Sequence, residues 1–281
     1  MLIKITSDST SDLSPELLER YDITLFPLYV SVGEDTFRDG VDVKPDDLFA
    51  YVERSGTLPS TAAVNVADYE KRFAEFTADY EAVIHITISS DFSSCYQNAC
   101  IAAEEFDNVY VVDSRNLSTG HGHVVMEAAL AAERGMSAPD IVDYLNDLAG
   151  RVEASFILDR LDYMVKGGRC SMVTALGANL LKLKPCIEVV DGKMKVVKKY
   201  RGAFSKVLQD YVRDRLDGRD DVIYDRIFIT HTPCPDGTVE AVRESIGRYA
   251  KFTDVIETTA GCTISCHCGP NTLGILFIRG R

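Results

Sequence analysis

Three loops of this 281-residue chain are rich in hydroxyl side chains and contain neither lysine nor arginine. They are residues 7–12, 59–65 and 89–94. Loops between strands and helices are where open α/β sheets bind ligands, and a helix N-terminus attracts anions. Hydroxyls of Thr61, Ser93 and Ser94 would add donors for a singly charged carboxylate, because a di- or triphosphate usually requires Lys, Arg or a metal. The alternative is that these residues only cap helices.

A second chemistry is that of a serine hydrolase with Ser93 as nucleophile and His267 as base. His267 lies in a glycine-rich turn near the end of the chain and is the best functional histidine candidate. This mechanism needs an orienting acid such as Asp8 or Asp91. The chain has no G-x-S-x-G motif, which weighs against it.

Metal binding is not favoured by the spacing of the cysteines and histidines. Eight cysteines are scattered along the chain, and without a secretion signal reduced thiols are expected. The cluster C-x3-CHC at residues 262–268 lacks a second half-site, and the pair His121 and His123 has no adjacent acidic partner. The sequence therefore predicts no metal site.

Alternating strands and helices are predicted over residues 1–152. The strands are expected at residues 2–6, 82–88 and 109–112. Helix starts are marked by Ser14 before a proline, by Asn65 and by Ser137. This alternation is typical of a parallel sheet covered by helices.

Residues 153–281 have a different character. Asp191 and Gly192 separate two stretches of strand-forming residues, which is a strong hairpin signal. The hairpin and the short strands around it predict a mixed or antiparallel sheet. We therefore expect two closely packed α/β domains, 1–152 and 153–281.

The net charge of −13 excludes nucleic-acid binding by the chain as a whole. The N-terminal residues lack a signal-peptide pattern and no apolar stretch approaches about 20 residues, so a cytoplasmic protein is expected. Residues 182–206 are basic, with a net charge of +6, although the chain as a whole is acidic. This basic segment either guards an edge strand or docks an acidic partner or an anionic membrane.

The order of short motifs along the whole chain resembles the DegV family. The motifs are DSTSDL at 8–13, I-x3-PL at 23–28, DGVD at 39–42, PST at 59–61, S-x3-SS at 89–94, KGGR at 166–169, RG at 201–202 and H-x-GP at 267–270. Each motif alone is weak, but this order is specific. One departure is Asn271, where many relatives have another glycine; asparagine tolerates positive φ better than most residues.

The resemblance implies a two-domain DegV-like fold that buries a long-chain fatty acid and needs no other cofactor. By position, Thr61 and Ser93 would hold the carboxylate, with His267 beside it. Arg169 and Arg201 would sit at the mouth. There the catalytic subunit of a fatty acid kinase would phosphorylate the carboxylate, and the acyl phosphate would feed phospholipid synthesis. The chain would then be a binding subunit rather than a complete enzyme.

The physical chemistry of a fatty acid agrees with this implication. A sixteen-carbon acid has about 14 methylenes, worth roughly 11 kcal/mol gross when buried, and only an enclosed apolar cavity captures that energy. The buried carboxylate must accept hydrogen bonds. Arg169 and Arg201 would stabilise charge on a transferred phosphoryl group. The sequence leaves open the acyl chain length and unsaturation, the oligomeric state, the kinase and the protonation of His267.

Overall fold

A computed structural model describes residues 2–174 and 183–281. The strands are β1 Ile3–Asp8, β2 Ile23–Phe26, β3 Tyr29–Val32, β4 Asp35–Arg38, β5 Ser60–Ala62, β6 Ala82–Thr87, β7 Val109–Asp113, β8 Val152–Leu158, β9 Leu183–Val190, β10 Lys193–Arg201, β11 Val222–His231, β12 Asp254–Thr259 and β13 Thr272–Arg279. The α-helices are α1 Pro15–Arg20, α2 Pro45–Ser55, α3 Val66–Ala74, α4 Cys95–Ala103, α5 Ser118–Glu133, α6 Ala138–Ala149, α7 Asp162–Gly167, α8 Ser171–Thr174, α9 Phe204–Leu216, α10 Thr238–Tyr249 and α11 Cys262–Cys268.

A parallel four-stranded sheet with the order β2-β1-β6-β7 forms the first half of the chain, which confirms the predicted sheet type. β6 is buried at every position, consistent with a strand covered on both faces. The helix starts are also confirmed. The side chains of Ser14, Asn65 and Ser137 accept hydrogen bonds from the backbone N–H groups of α1, α3 and α6.

A small antiparallel sheet with the order β4-β3-β5 interrupts this alternation. The apolar stretch at residues 23–32 divides into β2 and β3, with Pro27 and Leu28 between them. The loop expected at residues 59–65 contains the short strand β5, in which Thr61 pairs with Val30. Thr61 is therefore fixed by a backbone ladder rather than placed at a helix N-terminus.

A six-stranded mixed sheet with the order β10-β9-β8-β13-β11-β12 forms the second half, as predicted. Among these described strands, β11 and β12 are parallel and all other neighbours are antiparallel. Asp191 and Gly192 join β9 to β10 with φ values of 53° and 80°. Positive φ at both positions is the requirement of a tight two-residue hairpin turn. The change from one sheet to the other coincides with β8, and the division into two domains stays a prediction.

Helix α5 packs against both large sheets and joins their cores. Its first nine residues, Ser118 to Met126, are all buried. A Cβ at Gly122 would lie 2.7 Å from the carbonyl oxygen of Ser11, so only glycine permits this approach. Farther along the helix, His123 Nε2 lies 3.0 Å from the carbonyl oxygen of Leu276 on the second sheet. One continuous hydrophobic core therefore includes residues of both halves.

The basic segment lies largely on β10, which is an edge strand, and four of its lysines are neutralised by carboxylates. The ion pairs are Lys184 with Asp159, Lys193 with Asp91, Lys198 with Asp214 and Lys206 with Asp210. Within the two described ranges, Lys195, Lys199 and Arg201 are exposed and form no ion pair, while Lys182 falls outside those ranges. This arrangement favours edge protection. No helix in the described ranges is long and apolar enough to cross a membrane.

Candidate functional site

A cavity of about 540 Å³, including its open mouth, lies where α11, β5, the loop before α4 and the loop after α7 meet. Its walls are mostly apolar, formed by Leu28, Ala62, Ala63, Ile88, Phe92, Leu117, Met164, Met194, Ile264 and Cys268. Polar groups on the lining come from Thr61, Ser93, Arg169, Thr263 and His267. The cavity therefore combines an apolar interior with a few polar side chains, which is the usual composition of a small-molecule site.

Thr61 and His267 are in direct contact although 206 residues separate them in sequence. The Thr61 hydroxyl and His267 Nε2 share a hydrogen bond of 2.9 Å. Burial lowers the pKa of His267 to about 4, and the nearby positive charge of Arg169 acts in the same direction. His267 is therefore a neutral imidazole at pH 7.

Ser93 and Arg169 complete the polar part of the cavity. The Ser93 hydroxyl donates to Cys95 Sγ at 3.2 Å and accepts from the Cys95 N–H at 3.3 Å. The guanidinium of Arg169 donates to the carbonyl oxygens of Phe92 and Gly167 at 3.3 and 2.8 Å. Arg169 is exposed, so its positive charge lies at the open side of the cavity.

Two buried aspartates hold the N-terminus of α11, the helix that carries His267. Asp39 accepts from the N–H groups of Cys262 and Thr263 at 2.8 and 3.2 Å, and also from the Ser9 hydroxyl at 3.1 Å. Asp12 accepts from the N–H of Gly261 at 2.9 Å. Carboxyl oxygens that accept from the free N–H groups at a helix N-terminus stabilise that end of the helix. The first hydroxyl-rich loop and the DGVD motif therefore position α11 and do not line the cavity.

Gly167 of the KGGR motif is needed because of His267. A Cβ at Gly167 would lie 2.1 Å from His267 Nδ1, which is far closer than any real contact. Nδ1 is buried and has no hydrogen-bond partner among the described residues. The glycine thus lets α7 end directly against the imidazole and fixes the ring on one side while Thr61 fixes it on the other.

A second cavity of about 330 Å³ lies next to the first one and shares the lining residues Leu117, Ile264 and Cys268 with it. Its further apolar lining includes Phe156 and Leu276 from the second sheet. These wall residues were missed by sequence reasoning, because an apolar residue that lines a cavity has the same sequence signal as one that packs in the core. Together the two cavities form an apolar space between the two large sheets.

Comparison with known proteins agrees with this geometry. The family described as "Uncharacterised protein, DegV family" matches residues 2–280. The chain belongs to the DegV family. It is 31% identical over 284 residues to a fatty acid-binding protein of Thermotoga maritima, covering 98% of this chain and 96% of that protein.

Solved structures of DegV proteins have the same fold. A fatty-acid-binding DegV family protein from Thermus thermophilus superposes with a TM-score of 0.90 at 27% identity, covering 99% of this chain and all of the other. A stearic acid-binding protein from Eubacterium ventriosum gives a TM-score of 0.85 at 26% identity, with 99% and 98% of the two chains covered. The DegV fold predicted from the motifs is confirmed over the whole chain.

The departure from the DegV pattern at Asn271 is compatible with the turn. Asn271 has a φ of 56°, and its N–H donates to the carbonyl oxygen of Pro233 at 3.0 Å. Asparagine adopts this left-handed conformation more readily than most residues. Gly269, with a φ of 73°, is less replaceable, because a Cβ there would lie 2.7 Å from the Tyr163 ring.

Two of the predicted site residues of this DegV protein lie apart from the cavity lining. Ser94 is exposed, immediately before α4, and does not line the cavity. Arg201 is the last residue of β10, seven positions beyond the cavity residue Met194, which corresponds to about 23 Å of strand. The structure brings together Thr61, Ser93, Arg169 and His267, and it does not bring Ser94 or Arg201 to them.

The serine hydrolase alternative is not favoured. His267 Nε2 bonds Thr61 rather than Ser93, and its Nδ1 faces Gly167 instead of a carboxylate. Both candidate acids have other partners. Asp8 accepts from the Tyr69 hydroxyl and from the Ile88 N–H, and Asp91 lies 3.5 Å from Lys193. Within residues 2–174 and 183–281, the base therefore has no orienting group of the kind that a triad requires.

The cysteines around His267 are buried thiols. Burial raises the pKa of Cys268 to about 12 and raises those of Cys262 and Cys266 further, so none of them is a thiolate at pH 7. Residues 2–174 and 183–281 contain no group of three or more His, Cys, Asp or Glu side chains arranged to hold a metal ion.

Proposed function

We propose that this protein binds a long-chain fatty acid, with the carboxylate at Thr61, Ser93 and His267 and the tail in the two apolar cavities. The observation that carries the proposal is the position of Thr61, Ser93, Arg169 and His267 on the lining of an otherwise apolar space between the sheets. DegV relatives from several bacteria are described as fatty-acid-binding proteins, which supports the same function here.

The polar groups suit a carboxylate. The hydroxyls of Thr61 and Ser93 can turn to donate to its oxygens, and the neutral imidazole of His267 can donate without bringing a second full charge. Arg169 provides one positive charge at the open side. A single guanidinium balances a single carboxylate, whereas a nucleotide would require more positive charge.

The apolar lining suits a long tail. Leu117 and Ile264 line both cavities, so a tail bound in the first cavity would point its apolar end toward the second, where Phe156 lies. Each buried methylene contributes roughly 0.8 kcal/mol, so the binding energy grows with the length of tail enclosed. The carboxylate then determines orientation and the tail provides most of the affinity.

We further propose that the bound carboxylate is presented to a separate ATP-dependent kinase. The chain has no G-x-x-x-x-G-K-[ST] loop. In the proposed step a carboxylate oxygen attacks the γ-phosphorus of ATP, ADP leaves, and an acyl phosphate forms that would enter phospholipid synthesis. Arg169 is exposed beside the cavity, where positive charge would stabilise the transferred phosphoryl group.

The test is native mass spectrometry with lipid extraction on the purified protein and on a Thr61→Val/Ser93→Ala double variant. Hydrogen bonds to a charged group contribute about 1.5–3 kcal/mol each, so the double variant is expected to bind added palmitate at least ~100-fold more weakly. The control is Ser31→Ala/Thr36→Val, which removes a hydroxyl pair joined at 3.1 Å on the same small sheet, away from the cavity lining.

Two results would count against the proposal at different levels. Unchanged palmitate affinity in the Thr61→Val/Ser93→Ala variant would remove the assignment of the carboxylate. A wild-type protein that carries no fatty acid and takes up none when it is added would remove the fatty-acid function altogether.

A further inference from the structure

A second cluster of reactive side chains lies at the carboxyl ends of the parallel strands β11 and β12. Cys234 Sγ lies 3.7 Å from Nδ1 of His231, the last residue of β11. On the other side of the ring, His231 Nε2 lies 3.4 Å from the carboxylate of Glu257 on β12. Cysteine, histidine and carboxylate thus form a row in which the acid orients the imidazole toward the sulfur. This row takes no part in the proposed carboxylate site.

The surroundings of His231 favour its protonated form. The contact with Cys234 raises the pKa of His231 to about 9, and the carbonyl oxygen of Thr232 at 3.0 Å and the carboxylate of Glu257 act in the same direction. Arg243 on α10 pairs with the other oxygen of Glu257 at 3.3 Å. The imidazole nitrogen that faces Cys234 Sγ, Nδ1, is the one that also lies 3.0 Å from the Thr232 carbonyl oxygen, so a proton donor stands beside the sulfur.

Among the eight cysteines, all of which lie in the described ranges, Cys234 alone combines access with a neighbouring positive charge. Six are buried: Cys95, Cys170, Cys186, Cys262, Cys266 and Cys268. The remaining two, Cys100 and Cys234, are half-buried. Burial raises the pKa of the Cys100 thiol, and Cys100 has no histidine partner among the described residues. Cys100 is therefore a natural internal reference for the reactivity of Cys234.

The loop that carries Cys234 is held in place. Pro233 and Pro235 flank the cysteine and fix the backbone φ on both sides. The carbonyl oxygen of Pro233 accepts from the Asn271 N–H at 3.0 Å, and that of Pro235 accepts from the Thr238 N–H at 3.2 Å. The sulfur is thereby kept at the imidazole instead of moving freely with a surface loop.

We propose that Cys234, with His231 and Glu257, forms a modification site at which a hydroperoxide oxidises the thiol to a sulfenic acid. A hydroperoxide suits the site because it is small enough to reach a half-buried sulfur and because its leaving oxygen needs the proton that an adjacent imidazolium holds. His231 also lines the second apolar cavity, so a hydroperoxide of a bound lipid is a second source of the same O–O group.

The step balances without any group beyond the hydroperoxide. The Cys234 thiolate attacks one peroxide oxygen, an S–O bond forms and the O–O bond breaks. The sulfur is oxidised by two electrons and the peroxide is reduced by two. The leaving oxygen takes the proton of His231 and departs as water or as an alcohol, and the attacked oxygen stays on Cys234 with its own proton as a sulfenic acid.

The experiment measures sulfenic acid formation at each cysteine by dimedone trapping and peptide mass spectrometry after a brief exposure to hydrogen peroxide at pH 7. Cys234 is expected to react at least ~10-fold faster than Cys100, because burial raises the pKa of the Cys100 thiol and Cys100 has no adjacent imidazole among the described residues to protonate the leaving oxygen. His231→Asn keeps a polar group near the sulfur but carries no positive charge, so it is expected to reduce the Cys234 rate about tenfold.

Glu257→Gln provides a second variant on a side chain that is 43% exposed, so it tests the row even if the His231 substitution impairs folding. It is expected to reduce the rate at Cys234 and to leave Cys100 unchanged. Equal rates at Cys234 and Cys100, or a Cys234 rate that neither variant alters, would overturn the proposal.

A second arm replaces hydrogen peroxide with linoleic acid hydroperoxide at equal concentration. A larger preference for Cys234 over Cys100 with the lipid reagent would assign the oxidant to the lipid-binding space, and an equal preference would assign it to the solvent. The hydrogen peroxide arm needs no bound lipid. A failure of the fatty-acid proposal and a failure of this one are therefore distinguishable.

Discussion

Gly167→Ala is the most informative single substitution in this protein, because it displaces the His267 imidazole without replacing that side chain. The added Cβ would lie 2.1 Å from His267 Nδ1, whereas ordinary contact begins at 3.4 Å. The imidazole must therefore move by about 1.3 Å. The backbone of Gly167 itself is not in the left-handed region, so the substitution brings no strain of its own.

The size of the effect follows from what the imidazole loses. Its hydrogen bond to Thr61, now 2.9 Å, does not survive such a displacement, which costs about 0.5–1.5 kcal/mol. Overpacking in a well-packed site costs about 1–3 kcal/mol. We therefore expect a loss of about 2–4 kcal/mol in unfolding free energy. Palmitate affinity is expected to fall at least ~10-fold, because the imidazole no longer meets the carboxylate.

Urea unfolding and isothermal titration with palmitate measure these two effects. Gly247→Ala is the matched control, since that glycine is exposed on α10 and a Cβ added there would meet no atom within 4 Å. It is expected to leave affinity unchanged and to stabilise the helix by up to about 1 kcal/mol. The same Gly167→Ala change is also made in a His267→Ala background, where the clash is absent. Wild-type affinity in Gly167→Ala, or an equal loss in both backgrounds, would refute the role of this contact.

Two further predictions concern charge. Arg169→Ala is expected to weaken palmitate binding and, at saturating palmitate, to slow acyl phosphate formation by a fatty acid kinase catalytic subunit at least ~10-fold, and more than Arg201→Ala does, because of the two only Arg169 lines the cavity. Equal effects of the two variants on turnover would contradict this. Burial raises the pKa of Asp12 from 3.8 to about 8, so the unfolded chain releases this proton at lower pH than the folded protein, and the unfolding free energy falls as the pH rises from about 4 to about 8. Asp12→Asn removes this dependence. Urea unfolding at pH 5 and pH 8 is expected to show that the unfolding free energy of the variant rises relative to that of the wild type by up to a few kcal/mol as the pH increases. Parallel pH profiles of the two proteins would show that Asp12 does not titrate in this range.

Local sequence signals were sufficient for much of the scaffold. Ser14, Asn65 and Ser137 could be identified as helix caps because a cap satisfies N–H groups only three residues away. The turn at Asp191 and Gly192 was predictable for the same reason, since two adjacent residues must adopt positive φ. Hydrogen bonds between residues close in sequence can therefore be predicted from the types of neighbouring residues.

The role of the acidic motifs was not predictable. Asp12 and Asp39 have the appearance of loop residues available to a ligand, but they are buried and accept from Gly261, Cys262 and Thr263. More than 200 positions separate each donor from its acceptor. No local sequence pattern predicts these hydrogen bonds, because they form only when the small antiparallel sheet and α11 pack together.

The alternation of elements, the hairpin and the types of the two large sheets could be predicted from the order of residues along the chain, and the order of the motifs indicated membership of the DegV family. Which polar residues come into contact is seen only in the folded protein. It joins Thr61 to His267, places Arg169 at the cavity, and leaves Ser94 and Arg201 outside the lining. The reason is physical: secondary structure depends on contacts within a few residues, whereas a binding site depends on side chains brought together from distant elements, which chain order alone does not encode.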